Sequence, residues 1–182
     1  RYLQKRHRLT RILIADWDVH HGNGTQEAFY DDPSVFYLSI HRYPFYPGTG
    51  AATERGEAEG EGYTLNIPVP AGTGGEEFVG RFGEALASAA GEFEPEFVIV
   101  SAGYDAHWSD PLAQMNLSLT GYARLQRELV HMAGHLCDGR IVFTLEGGYQ
   151  LHVLAHGVLN AFYAMLGEET ITDPIGPSPH PE

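Results

Sequence analysis

Asp16, Asp18 and His20 alternate along the stretch Asp16-Trp17-Asp18-Val19-His20, directly after the apolar run Ile12-Leu13-Ile14-Ala15. Side chains of a strand alternate with period two, so all three leave its end on one side. Two carboxylates and an imidazole crowded beside an apolar core repel or desolvate one another unless a cation neutralises them. A divalent metal does so. Two more apolar runs end in reactive residues: Val98-Ile99-Val100-Ser101 leads to Asp105, with Asp110 behind it, and Phe143-Thr144-Leu145 leads through Glu146-Gly147-Gly148 to Tyr149. Glycines at such turns let backbone approach a ligand closely. Alone, Asp18 would read as a helix cap, His20 as a core histidine and Tyr149 as packing; their convergence carries the metal reading. Two carboxylates and one imidazole leave a coordination position open, as metal-assisted hydrolysis of an amide or ester requires. A tyrosine hydroxyl nearby can donate to the developing oxyanion. Carboxylate donors suit manganese as well as zinc. The proton-transfer group is missing from this set, because His21 and His107 are the nearby histidines and neither is clearly free.

Short apolar runs predict strands over 11–17, 35–41, 63–69, 97–102 and 141–145, alternating with helices over 24–30, 76–92, 120–136 and 151–166. Phe78, Phe82, Leu86 and Ala89 or Ala90 form a stripe at helical spacing. Thr120 is the expected N-cap of its helix, and Gly139 closes it. Strands apolar on both faces predict a parallel sheet covered by helices: an α/β, doubly wound architecture whose sites form at the carboxyl ends of strands.

The 182 residues suffice for one domain with a sizeable core. Residues 1–167 are expected to form it, and the proline-dense 168–182 to be a flexible tail. A net charge of −13 speaks against direct nucleic-acid binding. Glu54, Glu57, Glu59 and Glu61 read as a solvated acidic loop. No apolar run is long enough for a membrane span and no secretory signal pattern is present, so a cytoplasmic, intracellular location is expected. The lone Cys137 fits a reducing setting as a small buried residue. The pairs His131/His135 and His152/His156 share helix faces at zinc-binding spacing, without an evident third ligand.

The ordered motifs Asp16-Trp-Asp-Val-His-His-Gly-Asn-Gly-Thr-Gln26, Tyr46-Pro-Gly-Thr-Gly50, Ser101-Ala-Gly-Tyr-Asp105 with Asp110-Pro111, and Glu146-Gly-Gly-Tyr149 resemble the zinc-dependent histone deacetylase family. Asn23 and the Glu-Gly-Gly-Tyr form resemble its class II branch. The similarity runs from about 11 to 166. It implies a three-layer arginase/deacetylase-like fold with a mostly parallel sheet, and hydrolysis of N-acetyl-lysine amides. In that family a metal-activated water attacks the acetyl carbonyl. The resemblance assigns Asp18, His20 and Asp105 to zinc and Tyr149 to carbonyl polarisation. It makes Asp16 and Asn23 partners of catalytic histidines, and Tyr46, Leu112, Gly147 and Gly148 substrate-binding positions. Backbone of Asp16, Asp18, His20 and Ile40 with the Ser39 hydroxyl match a potassium site. Phe29, Asp32, Val35 and Tyr63 match a second. The partner implied is acetylated lysine on a protein, or a small acetylated amine.

One departure matters. The family's tandem histidine pair, its general base and acid, precedes the Asp-x-Asp-x-His motif, and the fifteen residues before Asp16 contain no such pair. The expectation is therefore the C-terminal part of a catalytic domain, incomplete at its N-terminus, inactive or nearly so in isolation and marginally folded. The rival readings are an acetylpolyamine amidohydrolase, against which Leu112 stands where an acidic gatekeeper would be, and a non-catalytic acyl-lysine or partner-binding fragment. An arginase-type manganese enzyme would want a carboxylate where His107 stands.

Overall fold

Five apolar segments pair side by side, all parallel, in the computed structural model, which describes residues 1–180. They are β1 (Ile12–Asp16), β2 (Val35–Arg42), β3 (Thr64–Val69), β4 (Phe97–Ala102) and β5 (Ile141–Leu145), in the order β3-β2-β1-β4-β5. The chain runs outward from β1 to β3, then returns to β1's other side for β4 and β5. The order thus reverses between β1 and β4, and a crevice opens at the carboxyl ends of these strands. Registers align Asp16 with Ser39 on one side and Ser101 on the other.

Helices cover both faces, so the expected α/β layering holds. On one face, Leu13, Ala15, Leu38, Val98 and Val100 pack with residues of α3 (Gly75–Phe93), α4 (Leu119–Leu136) and α5 (Leu151–Met165). The predicted stripe of α3 is buried as a unit, with Phe82 edge-on to Trp17 at 6.3 Å. On the other face a smaller cluster joins Ile12, Ile14, Val35 and Tyr37 to Leu3 of α1 (Tyr2–His7), to Leu9 and to Phe29 of α2 (Asn23–Phe29). Short α1 was not anticipated: its basic residues show no apolar periodicity, and one turn and a half of helix leaves too little pattern to read. The cap of α4 is Ser118, not the expected Thr120; Ser118 Oγ accepts from Gly121 N at 3.2 Å, while Thr120 N and Oγ1 both donate to Asp173. β5 is an edge strand that exposes Val142 and Leu145 beside Phe162 and Met165 of α5.

Residues 168–180, part of the expected flexible tail, form no helix or strand. They are nevertheless fastened to the body. Thr172 and Asn160 exchange two hydrogen bonds, Trp108 Nε1 donates to Gly176 O, and Ile175 packs on the core. Pro181 and Glu182 lie outside the described residues. Among the described residues no helix is long and apolar enough to cross a membrane.

Candidate metal centre and cleft

The last residues of β1 and β4 and the turns that follow them bring three donors together. Donor atoms of Asp18, His20 and Asp105 all lie within 4.8 Å of one another. His20 Nδ1 sits 3.0 Å from Asp18 Oδ1 and 3.2 Å from Asp105 Oδ2. The remaining oxygens are held by backbone: Val19 N donates to Asp105 Oδ1 at 2.9 Å and Gly147 N to Asp18 Oδ2 at 2.8 Å. Asp105 is fully buried, and its Oδ2 has no aligned hydrogen bond. Such an oxygen costs stability unless another partner neutralises it.

Electrostatics reports the same crowding. Asp105 and Asp18 together hold the His20 imidazole up to about 10. Burial, aided by the neighbouring Asp18 charge, pushes Asp105 up. Asp18 lies below the usual carboxylate range, because hydrogen bonds from His20 and the Gly147 N–H outweigh its burial. Asp16 is buried, accepts from Asp18 N and Tyr37 Oη, and is raised well above its ordinary value by burial and then by Asp18.

Close approach requires the glycines. A Cβ on Gly147 would stand 2.7 Å from Asp18 Oδ2 and nearer still to Asp105 Oδ2; one on Gly103 would stand 2.6 Å from Asp18 Cα. The centre opens into a cleft of about 460 Å³ lined by Asp16, Asp18, His20, Tyr46, Gly147 and Tyr149, among others. Tyr149 is exposed there, with its backbone N–H held 2.9 Å from Asp110 Oδ2. Its hydroxyl is pushed above its ordinary value by the little burial it has, then by the charges of Asp105 and Asp18.

Other expected positions fall less close. Leu112 and Asn23 are exposed and do not line this cleft; Asn23 opens α2. Gly148 adopts φ 135°, which only glycine tolerates without strain. Ser39 and Ile40 are fully buried in β2, with Ser39 Oγ 2.9 Å from His41 Nδ1. The Asp32 carboxylate accepts from Ser34 and pairs with Arg1.

Neither nearby histidine is free to move protons. His21 Nε2 donates to Gln26 Oε1 and Nδ1 accepts from Thr49 Oγ1. His107 Nδ1 accepts from Ser109 N, and burial holds the ring down to about 4.

Sequence reasoning missed several contributors. Phe45 stacks on His20 at 5.2 Å with Arg42 over its other side at 4.1 Å, and Tyr37 orients Asp16. Glu54, expected in a solvated acidic run, instead accepts from Gln26 Nε2, Gly50 N and Ala51 N. It ties the loop bearing Tyr46 to the body, while Glu57, Glu59 and Glu61 are exposed as expected. His41 lies in the same network: Nε2 donates to Gly50 O, so Nδ1 accepts from Ser39 Oγ.

Burial holds His41 down to about 4, against an ordinary value of about 6.5. The unfolded chain therefore takes up this proton first. The stability tied to neutral His41 is complete above pH about 6.5 and is lost as pH falls towards 4, to a total of about 3 kcal/mol. Urea unfolding at pH 7 and pH 4.5 should show wild type losing about 2 kcal/mol more than His41→Gln. Equal losses would remove His41 as the cause.

With this geometry in place, the known relatives can be compared. Residues 1–165 match the family model of the histone deacetylase domain. This chain belongs to the histone deacetylase domain family. As a histone deacetylase domain, it is 47% identical over 171 residues to the rice (Oryza sativa subsp. japonica) protein "Histone deacetylase 10, chloroplastic", covering 94% of this chain and 39% of the relative. It is 48% identical over 158 residues to the "Probable deacetylase" of Archaeoglobus fulgidus, covering 86% and 44%. The crystal structure of the HDA15 HD domain superposes with a TM-score of 0.84 at 42% identity, covering 94% of this chain and 48% of that one. The structure of the histone deacetylase Clr3 gives 0.86 at 42%, covering 95% and 30%. The histone deacetylase domain described here thus spans about two fifths of the length of the curated relatives it matches, and its fold is theirs.

Proposed function

We propose that the cleft hydrolyses N-acetyl-lysine amides with zinc held by Asp18, His20 and Asp105. One observation carries this: two carboxylates and an imidazole lie within 4.8 Å of one another in the cleft that Tyr149 also lines. The residues fit such an ion. Buried Asp105 Oδ2 lacks an aligned partner, the Gly147 position leaves no room for a side chain, and mixed oxygen and nitrogen donors are what zinc takes. Zinc there would supply Lewis acidity and a lowered pKa for water.

The chain's own residues supply the rest. Tyr149, a phenol and so protonated at neutral pH, donates to the carbonyl oxygen as negative charge develops on it. Asp110 holds the Tyr149 backbone. Phe45 fixes the His20 ring and buttresses it against rotation. Exposed Tyr46 at the cleft edge offers an aromatic wall to the aliphatic stem of an acylated lysine or small acetylated amine. Asp16, held by Tyr37, lines the cleft, whose own histidines are His20, in the proposed zinc set, and His21, committed on both nitrogens. Proton transfer is therefore the weak step of these 182 residues, and added imidazole should raise turnover.

The test is turnover of an acetyl-lysine peptide and of acetylspermidine by the zinc-loaded chain in imidazole buffer. Tyr149→Phe should lower kcat by about 10²–10³ with KM little changed. Undiminished turnover in Tyr149→Phe, or failure of Asp105→Asn to weaken zinc binding in the cleft, would overturn the reading. Preference for the peptide would favour protein-bound lysine; preference for acetylspermidine would favour a small amine.

A further inference from the structure

Far from the cleft, α3 and α4 part over a second cavity of about 460 Å³ lined by Gly83, Ala87, Glu128, His131, Met132 and His135, among others. Glu128, His131 and His135 stand at i, i+3 and i+7 and so share one face of α4. The imidazoles are exposed, with ring centroids 4.4 Å apart and planes at 78°. Two imidazoles on one ion, at metal–nitrogen distances of about 2.0–2.1 Å, have centroids roughly 4.5–5.3 Å apart for bond angles near about 90–110°. The two rings, edge-on to one another, need to part by only a few tenths of an ångström to reach that spacing.

Glu128 turns the opposite way, into the cavity against α3, where its Oε2 lies so near Gly83 that a Cβ there would stand 2.8 Å from it and the carboxylate would have to shift. Half-buried, this carboxylate is pushed up by burial. The cation nearest it, Arg124, is paired with Glu76. Among the described residues, neither the imidazoles nor this carboxylate has a hydrogen bond or ion pair. Three donors without a protein partner therefore line one cavity, and the two imidazoles stand in the last turns of a helix, where a cation is favoured. His152 and His156 differ, since no carboxylate joins them in a cavity.

We propose that Glu128, His131 and His135 form a second metal site, taking a divalent transition ion of intermediate softness such as Zn2+, Ni2+ or Cu2+. The imidazoles supply the primary grip, and Glu128, on the same helix, swings away from α3 to complete it. Imidazole-rich sets suit these three ions over Mg2+ or Ca2+.

Cu2+ is the probe, read by calorimetric stoichiometry and by nitrogen superhyperfine splitting in electron paramagnetic resonance. Asp105→Asn, which disables the cleft centre, should still bind one equivalent with a two-nitrogen spectrum. Adding His135→Ala or His131→Ala should abolish that signal and weaken binding about tenfold or more, whereas adding His152→Ala should change nothing. Glu128→Gln should keep both nitrogens and weaken binding about tenfold. Glu128, His131, His135 and His152 are exposed or half-buried on helices, so their variants fold as the Asp105→Asn parent does. A two-nitrogen signal that survives His135→Ala, or follows His152, overturns the site; unchanged affinity in Glu128→Gln overturns its three-donor form.

Discussion

In a His135→Ala background, which lacks the second site, Asp105→Asn should erase the thermal stabilisation that zinc confers on this chain. Wild type at a zinc concentration a hundredfold above Kd gains about 2.7 kcal/mol, or about 5–10 °C for a domain of this size. Losing one charged donor from a buried set costs about 3–5 kcal/mol, so affinity should fall about 10²–10⁴-fold. Without metal the sign differs. Asp105 is buried and its carboxyl is raised by that burial. An amide keeps the bond from Val19 N and removes the charge, so the metal-free variant should melt no lower than wild type. Differential scanning fluorimetry with and without zinc reads both arms. A zinc shift retained in Asp105→Asn would remove Asp105 from the ligand set.

Phe82→Ala should cost about 3–5 kcal/mol, the largest single stability loss expected in this chain. Phe82 has no exposed surface and meets Trp17 edge-on at 6.3 Å. Truncation leaves a void between α3 and the sheet that the rigid parallel strands collapse into poorly. Against a total stability of about 5–15 kcal/mol, the loss moves the urea midpoint far to the left and lowers Tm by about 6–20 °C. Trp17 directly precedes Asp18, so the same void loosens the segment that presents the metal donors. Phe82→Leu, which keeps most of the volume, should lose far less; equal losses would show that aromatic contact, not volume, matters.

The strands and the convergence of Asp18, His20 and Asp105 were legible because each rests on short-range pattern. Apolar runs, period-two alternation and glycine turns set β1, β4 and β5 and placed Asp18, His20, Asp105 and Tyr149 at strand ends. Bounds differ from expectation by a residue or so. What stayed hidden depends on contacts across the chain. Glu54 has the same local surroundings as Glu57 and Glu59, and only the fold brings Gln26 and the Gly50 N–H to it. Phe45 carries no mark that it will stack on His20. Ser118 and Thr120 are equal candidates for capping until Asp173 arrives from more than fifty positions away to take Thr120. The polar density of residues 168–180 concealed that Thr172, Ile175 and Gly176 each have a partner on the body.

The donors follow β1 and β4, which are neighbours in the sheet but remote in the chain: the Val19–Asp105 bond spans 86 positions. Such a centre cannot exist before both strands have docked, and closing a segment that long is slow compared with local events. An ion that binds only the completed pair therefore has nothing to hold in the folding transition state. Its stabilisation would fall on the unfolding limb, so that a metal held there would slow escape from the native state and leave the rate of entry to the chain itself.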